Sequence, residues 1–169
     1  YTLAGPEIAV ATTKAYSTQL IANYVLAIEF ARVRGQLTKK QATALVAELK
    51  TLPDKIQRIL DDKERIQWFA SKFANAKDIF FIGRGIDYAT CLEGSLKMKE
   101  TSYIHSEAYA AGELKHGTIS LITEGMPVIA VATQNSVLEK TVSNIKEVKA
   151  RGAMTIVICD EEADIGVDA

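Results

Sequence analysis

The chain has 169 residues, 48% hydrophobic and 24% charged, enough for one domain or a domain with a helical appendage that needs no disulfide or metal to fold. Its 20 basic and 21 acidic residues leave a net charge of -1, which argues against a nucleic-acid groove or a polybasic membrane contact. Two cysteines, Cys91 and Cys159, are too few for a disulfide scaffold and point to a reducing compartment.

The chain opens on Tyr1 and stops at Ala169 just past a strand-like run, which reads as a piece of a longer protein. Arg32, Arg34, Lys39 and Lys40 interrupt the first long apolar region, so no membrane span is expected and the cytoplasm is the expected location. Leu20, Tyr24, Ala27, Ile28 and Ala31 recur at helical spacing and predict one helix over 15–34. Gly35 ends it. Thr38 is suited to cap a second helix running to about Thr51, with Leu45, Val46 and Leu49 expected inward. Pro53 and Asp54 open a third, with Ile56, Ile59 and Leu60 inward, and 64–73 forms a fourth.

After Asn75 the pattern changes. Ile79-Phe80-Phe81-Ile82, stopped by Gly83-Arg84-Gly85, reads as a buried strand, and 87–103 as a helix capped by Asp87. Pro127 to Ala132 is a second strand, 137–151 a helix, and Ala153 to Cys159 a third strand. Strands buried on both faces and alternating with helices predict a parallel α/β sheet covered on both sides. Three strands are few for such a sheet, so either the chain is truncated or a further short strand lies outside this pattern.

Three places carry candidate chemistry. The Gly83-Arg84-Gly85 turn lies where open α/β sheets bind ligands, but a dinucleotide fingerprint would need glycine at Tyr88, so the nucleotide reading fails. A phosphate or sugar loop and a plain sharp turn stay open. On the following helix Glu93, Lys97 and Glu100 share one face at i, i+4 and i+7, with Leu92, Leu96 and Tyr103 expected on the buried stripe. Such a face is commonly a solvated salt-bridge ladder, yet it leads towards the segment 105–118, which holds His105 and His116, two glutamates and a lysine with no sustained period. Lysine, glutamate and histidine in one cleft are the groups of proton transfer near neutral pH. No third ligand accompanies the two histidines, so a metal site is not expected.

The stretch Leu92-Glu93-Gly94-Ser95-Leu96-Lys97-Met98-Lys99-Glu100, continuing through Gly112-Glu113-Leu114-Lys115-His116-Gly117, resembles the glutamine–fructose-6-phosphate aminotransferase family. Ala4 to Tyr16 is similar to the end of that family's first sugar-isomerase (SIS) domain. The resemblance implies a SIS-domain, flavodoxin-like three-layer α/β/α fold with a parallel sheet, preceded by connecting helices. It places the end of the first SIS domain and the connecting helices at 1–75 and a truncated second SIS domain at 76–169. It also implies a homodimer, a phosphosugar substrate, a glutaminase domain elsewhere in the same chain, and no cofactor. By the same resemblance Glu100 is the base that moves a proton between sugar C1 and C2, and Lys97 lines the site beside it. His116 serves ring opening across the dimer, and Thr12 lies near the bound sugar. Thr133-Gln134-Asn135-Ser136 looks like a degenerate copy of the family's phosphate loop, which itself lies upstream of Tyr1. The family's imine-forming lysine lies downstream of Ala169, so this piece alone is expected to be inactive. A regulatory phosphosugar-binding module, a structural dimerisation domain and a related SIS deglycase or isomerase are the alternative readings.

Overall fold

The structure is a computed structural model and describes residues 1–160, 163 and 165; the remaining end of the expected second domain lies outside the described residues. The chain divides into two compact units, Tyr1–Ser71 and Lys72–Ala169.

The first unit is helical: α1 (Thr13–Val33), α2 (Lys39–Lys50), α3 (Leu52–Asp61) and α4 (Lys63–Phe73, which runs into the second unit). Thr38 caps α2 in a reciprocal box: its hydroxyl accepts from the Gln41 backbone N–H at 3.2 Å, and the Gln41 side chain accepts from the Thr38 N–H at 2.9 Å. Pro53 sits in the first turn of α3, where its missing N–H is harmless. The helices fall where the spacing predicts, but their apolar stripes are not buried. Val46 is 37% exposed, Ile56 49%, Ile59 62% and Leu60 59%, and among the described residues of this unit only Ala42 is buried. The expected inward faces are therefore corrected: amphipathic spacing identifies which face is apolar, not what covers it.

The second unit is a three-layer α/β/α sandwich. Strands β1 (Asp78–Gly83), β2 (His105–Ala110), β3 (Pro127–Ala132) and β4 (Met154–Cys159) form a four-stranded parallel sheet in the order β2–β1–β3–β4. Alternate residues of the central strands serve opposite faces. Ile79, Phe81 and Val131 pack with Cys91 of α5 (Ile86–Ser102), whereas Phe80, Ile82, Val128 and Ala130 pack with Ile145 and Val148 of α6 (Leu138–Lys149).

The further short strand that the sequence left open is β2, inside the segment 105–118 read as lacking a period. Its alternation is carried by small and polar groups rather than β-branched ones. Ser106 is fully buried with its Oγ 2.9 Å from the Ser95 carbonyl oxygen and 2.8 Å from Ser95 Oγ, while the Tyr109 ring meets Phe80 edge-on at 5.0 Å. The buried stripe of α5 is Asp87, Cys91 and Ser95, not Leu92, Leu96 and Tyr103, which are 49%, 43% and 92% exposed. A polar residue with a specific partner displaces leucine from the sheet-facing position.

Candidate functional site

The carboxyl edge of the sheet is the first place to look, because β1 pairs with β2 on one side and β3 on the other, and the chain reverses direction there. A β-carbon at Gly83 would lie 2.7 Å from the Asp87 carbonyl carbon, so glycine lets the first turn of α5 fold straight back over the strand end. Gly85 caps that helix at φ +57°, a conformation that favours glycine. Asp87 is thus inside the first turn and is not the cap. It is buried, and its carboxylate accepts from the Thr133 backbone N–H at 2.9 Å and from Thr133 Oγ1 at 2.6 Å. An anion is favoured at a helix N-terminus, and here the chain supplies its own. Gln134 Nε2 donates to the Arg84 carbonyl at 2.7 Å. Arg84 Nε and Nη2 both donate to Asn144 Oδ1, at 3.0 and 2.9 Å. The loop Thr133–Ser136 therefore has its Thr133 donors committed within the protein.

The second place is the outward face of α5. At 100° per residue, Glu93, Lys97 and Glu100 project from the side of the helix opposite Cys91 and Ser95, and so away from the sheet. Lys97 Nζ lies 2.6 Å from Glu100 Oε2 and 3.4 Å from Glu93 Oε1. The three side chains are only 20–32% exposed, unusually sheltered for a surface ladder. The Glu100 carboxylate, hydrogen-bonded to Nζ, and then Glu93 hold the Lys97 ammonium above its ordinary range. This face can present a carboxylate base beside a fixed positive charge.

The histidines do not join that face. His105 Nδ1 donates to Asp78 Oδ1 at 2.7 Å across the β1–β2 register pair, at the amino edge of the sheet. Among the described residues no hydrogen bond or ion pair links His105 to Lys97 or Glu100. His116 is exposed and ends a 3₁₀ turn, Leu114–His116, beyond the carboxyl end of β2. Glu100 is in the last turn of α5, which runs antiparallel to the strands and so ends at the amino edge. One strand length, about 20 Å, separates the two levels. Among the described residues no hydrogen bond or ion pair links His116 to Lys97 or Glu100.

Thr12 belongs to the other unit, where it precedes α1 at φ +59° and donates from Oγ1 to the Val10 carbonyl at 2.7 Å. A β-branched residue in the left-handed region is a strained conformation. Sequence reading missed the bonds from Asp87 to Thr133 and from Arg84 to Asn144. Their partners are separated by 46 and 60 positions, and local spacing carries no signal for them.

A family model described as the SIS domain matches residues 72–167. The chain belongs to the SIS domain family. Within it, the chain is 61% identical over 156 residues to the glutamine–fructose-6-phosphate aminotransferase (isomerizing) of Caldanaerobacter subterraneus subsp. tengcongensis, covering 92% of this chain and 26% of that protein. It is 52% identical over 167 residues to the enzyme of the same name from Methanosarcina mazei, covering 98% of this chain and 27% of the relative. The C-terminal domain of glucosamine-fructose-6-phosphate aminotransferase from Francisella tularensis superposes with a TM-score of 0.92 at 39% identity, over 97% of this chain and 46% of that one. The SIS chain thus corresponds to part of the isomerase portion of such enzymes and spans about a quarter of the length of the relatives it matches. Among the described residues no helix is long and apolar enough to cross a membrane.

Proposed function

We propose that this chain is part of the isomerase half of a cytoplasmic enzyme that makes glucosamine 6-phosphate and glutamate from fructose 6-phosphate and glutamine. The observation that carries the reading is the Glu93–Lys97–Glu100 cluster: a sheltered, ion-paired face turned away from the sheet of its own domain. An aldose–ketose shift needs one carboxylate over two adjacent carbons, able to take and return the same proton. Glu100 does this between C1 and C2 of the open-chain sugar. Lys97 steadies the negative charge that develops on the enediolate-like intermediate, and Glu93 holds Lys97 from the other side.

His116 opens the sugar ring, and it does so in a neighbouring subunit. Its place beyond the carboxyl end of β2, while Glu100 lies in the last turn of α5, supports this. The enzyme is a homodimer in which each subunit completes the other's site, with an interface well above the roughly 1,000 Å² of a specific contact. Thr12 contributes to sugar binding, and its strained backbone fits a residue held for function. Ammonia comes from a glutaminase domain of the same full-length chain. No metal or cofactor is needed for this chemistry.

The test is Glu100→Gln in the full-length protein. Sugar isomerisation should fall by about two to four orders of magnitude, with glutaminase activity unchanged as the internal control. Isomerisation at the wild-type rate would overturn the assignment.

A further inference from the structure

The Arg84 guanidinium lies against the backbone of Gly112. A β-carbon at Gly112 would sit 2.5 Å from Arg84 Nη2, 3.0 Å from Cζ and 3.1 Å from Nη1, so the planar group fills the space that any side chain there would need. The guanidinium is not free to move aside. Its two donors to Asn144 Oδ1 fix it to a residue that is 4% exposed, and the Asn144 amide donates in turn to Glu147 Oε2 at 3.2 Å. The Arg84 carbonyl is held from the other side by Gln134. Arg84 thus ties the loop after β1 to α6 and lays a rigid plane on the segment after β2.

That segment leads directly to His116. The Ala111 N–H donates to the Gly83 carbonyl at 2.9 Å, Leu114 is buried at 1% exposure in the α6-side core, and the His116 N–H donates to the Glu113 carbonyl at 3.0 Å. The segment is therefore anchored at Ala111 and at Leu114, and between them the Glu113 N–H donates to the Ala110 carbonyl at 2.8 Å and closes a turn over Ala111 and Gly112. Arg84 packs on that turn at Gly112. We propose that Arg84 is a positioning residue for His116, acting through Gly112 to fix the direction in which the 114–116 turn presents the imidazole. This rests on the assignment of His116 to the reaction.

The test compares Arg84→Ala, Arg84→Lys, Gly112→Ala and His116→Asn in the full-length protein, with kcat, KM, glutaminase activity and amide hydrogen exchange as readouts. Arg84→Ala should lower kcat for sugar conversion by about 10- to 100-fold, the scale of a catalytic group misplaced by an ångström, with KM and glutaminase activity little changed. Exchange should quicken at 111–117 and not in α5. Arg84→Lys should recover only part of kcat, because lysine lacks the planar fork. In a His116→Asn background Arg84→Ala should lower kcat less than twofold further. Gly112→Ala, which presses on the guanidinium from the opposite side, should reproduce the loss and serves as the second route if Arg84→Ala folds poorly. Unchanged exchange at 111–117, or an Arg84 effect that adds in full to that of His116→Asn, would overturn the proposal. Wild-type turnover in His116→Asn would instead overturn the reading of His116, and the exchange profile would still decide whether Arg84 holds the segment.

Discussion

Lys97 Nζ donates to Glu100 at 2.6 Å from one turn earlier on α5, so a carboxylate and its counter-charge are pre-set on the same helix face. Glu93, one turn further back, approaches the same ammonium at 3.4 Å. Because both carboxylates favour the charged amine, Lys97 stays protonated through neutral and moderately alkaline pH. Lys97→Met should therefore reduce sugar conversion by about 100-fold while shifting the unfolding midpoint little, since ion pairs near the surface contribute little to stability. Steady-state kinetics beside urea denaturation separates the two effects. A large loss of stability with normal turnover would mark the cluster as structural.

Subunit mixing tests the shared site. If His116 crosses to its neighbour, a heterodimer of Glu100→Gln and His116→Asn subunits contains one doubly damaged site and one intact site. Co-refolding the two inactive variants should then restore a substantial fraction of wild-type activity. If both residues act within one subunit, every site carries one lesion and nothing is regained.

Asp87 is a buried carboxylate that satisfies both the N–H and the hydroxyl of Thr133. Asp87→Ala leaves those donors without their partner and should destabilise the SIS domain by about 2–3 kcal/mol, read as a lower denaturant midpoint at unchanged slope. Asp87→Asn should be milder in size but still destabilising, since the amide keeps one acceptor and loses the charge.

Burial pushes the Cys91 thiol up to about 11. The unfolded chain releases this proton near 9, so between pH 9 and 11 it binds fewer protons than the native state and stability falls with rising pH; below 9 the contribution is fully present. Tyr109, pushed up to about 12 first by burial and then by its bond to Glu107, adds a second alkaline window from 10 to 12. Cys91→Ala should lessen the fall in stability between pH 9 and 11 and leave the contribution of Tyr109, which begins near pH 10. At pH 8, native Cys91 should resist alkylation, while Cys159, which is only partly buried, reacts first. Rapid labelling of Cys91 in folded protein would contradict its burial.

The helices of the first unit, strands β1, β3 and β4, the turn at Gly83 and the shared face of Glu93, Lys97 and Glu100 were legible in the sequence. Each depends on spacing within one element, or on a glycine or proline whose backbone preference is local. Strand β2 was not legible, because an edge strand built on Ser106, Ala108 and Ala110 owes its place to pairing with β1 and to the Ser95 contact, neither of which leaves a periodic apolar trace. The same holds for Asp87 and Arg84, whose partners Thr133 and Asn144 become neighbours only when the parallel sheet brings β1 beside β3 and α6 over its face. The separation of His116 from Glu100 is likewise a product of topology. The thirteen residues of sequence between Ser102 and His116 include a full strand crossing from one edge of the sheet to the other. Local chemistry could nominate the residues; only the direction of the chain through the sheet decided which of them meet.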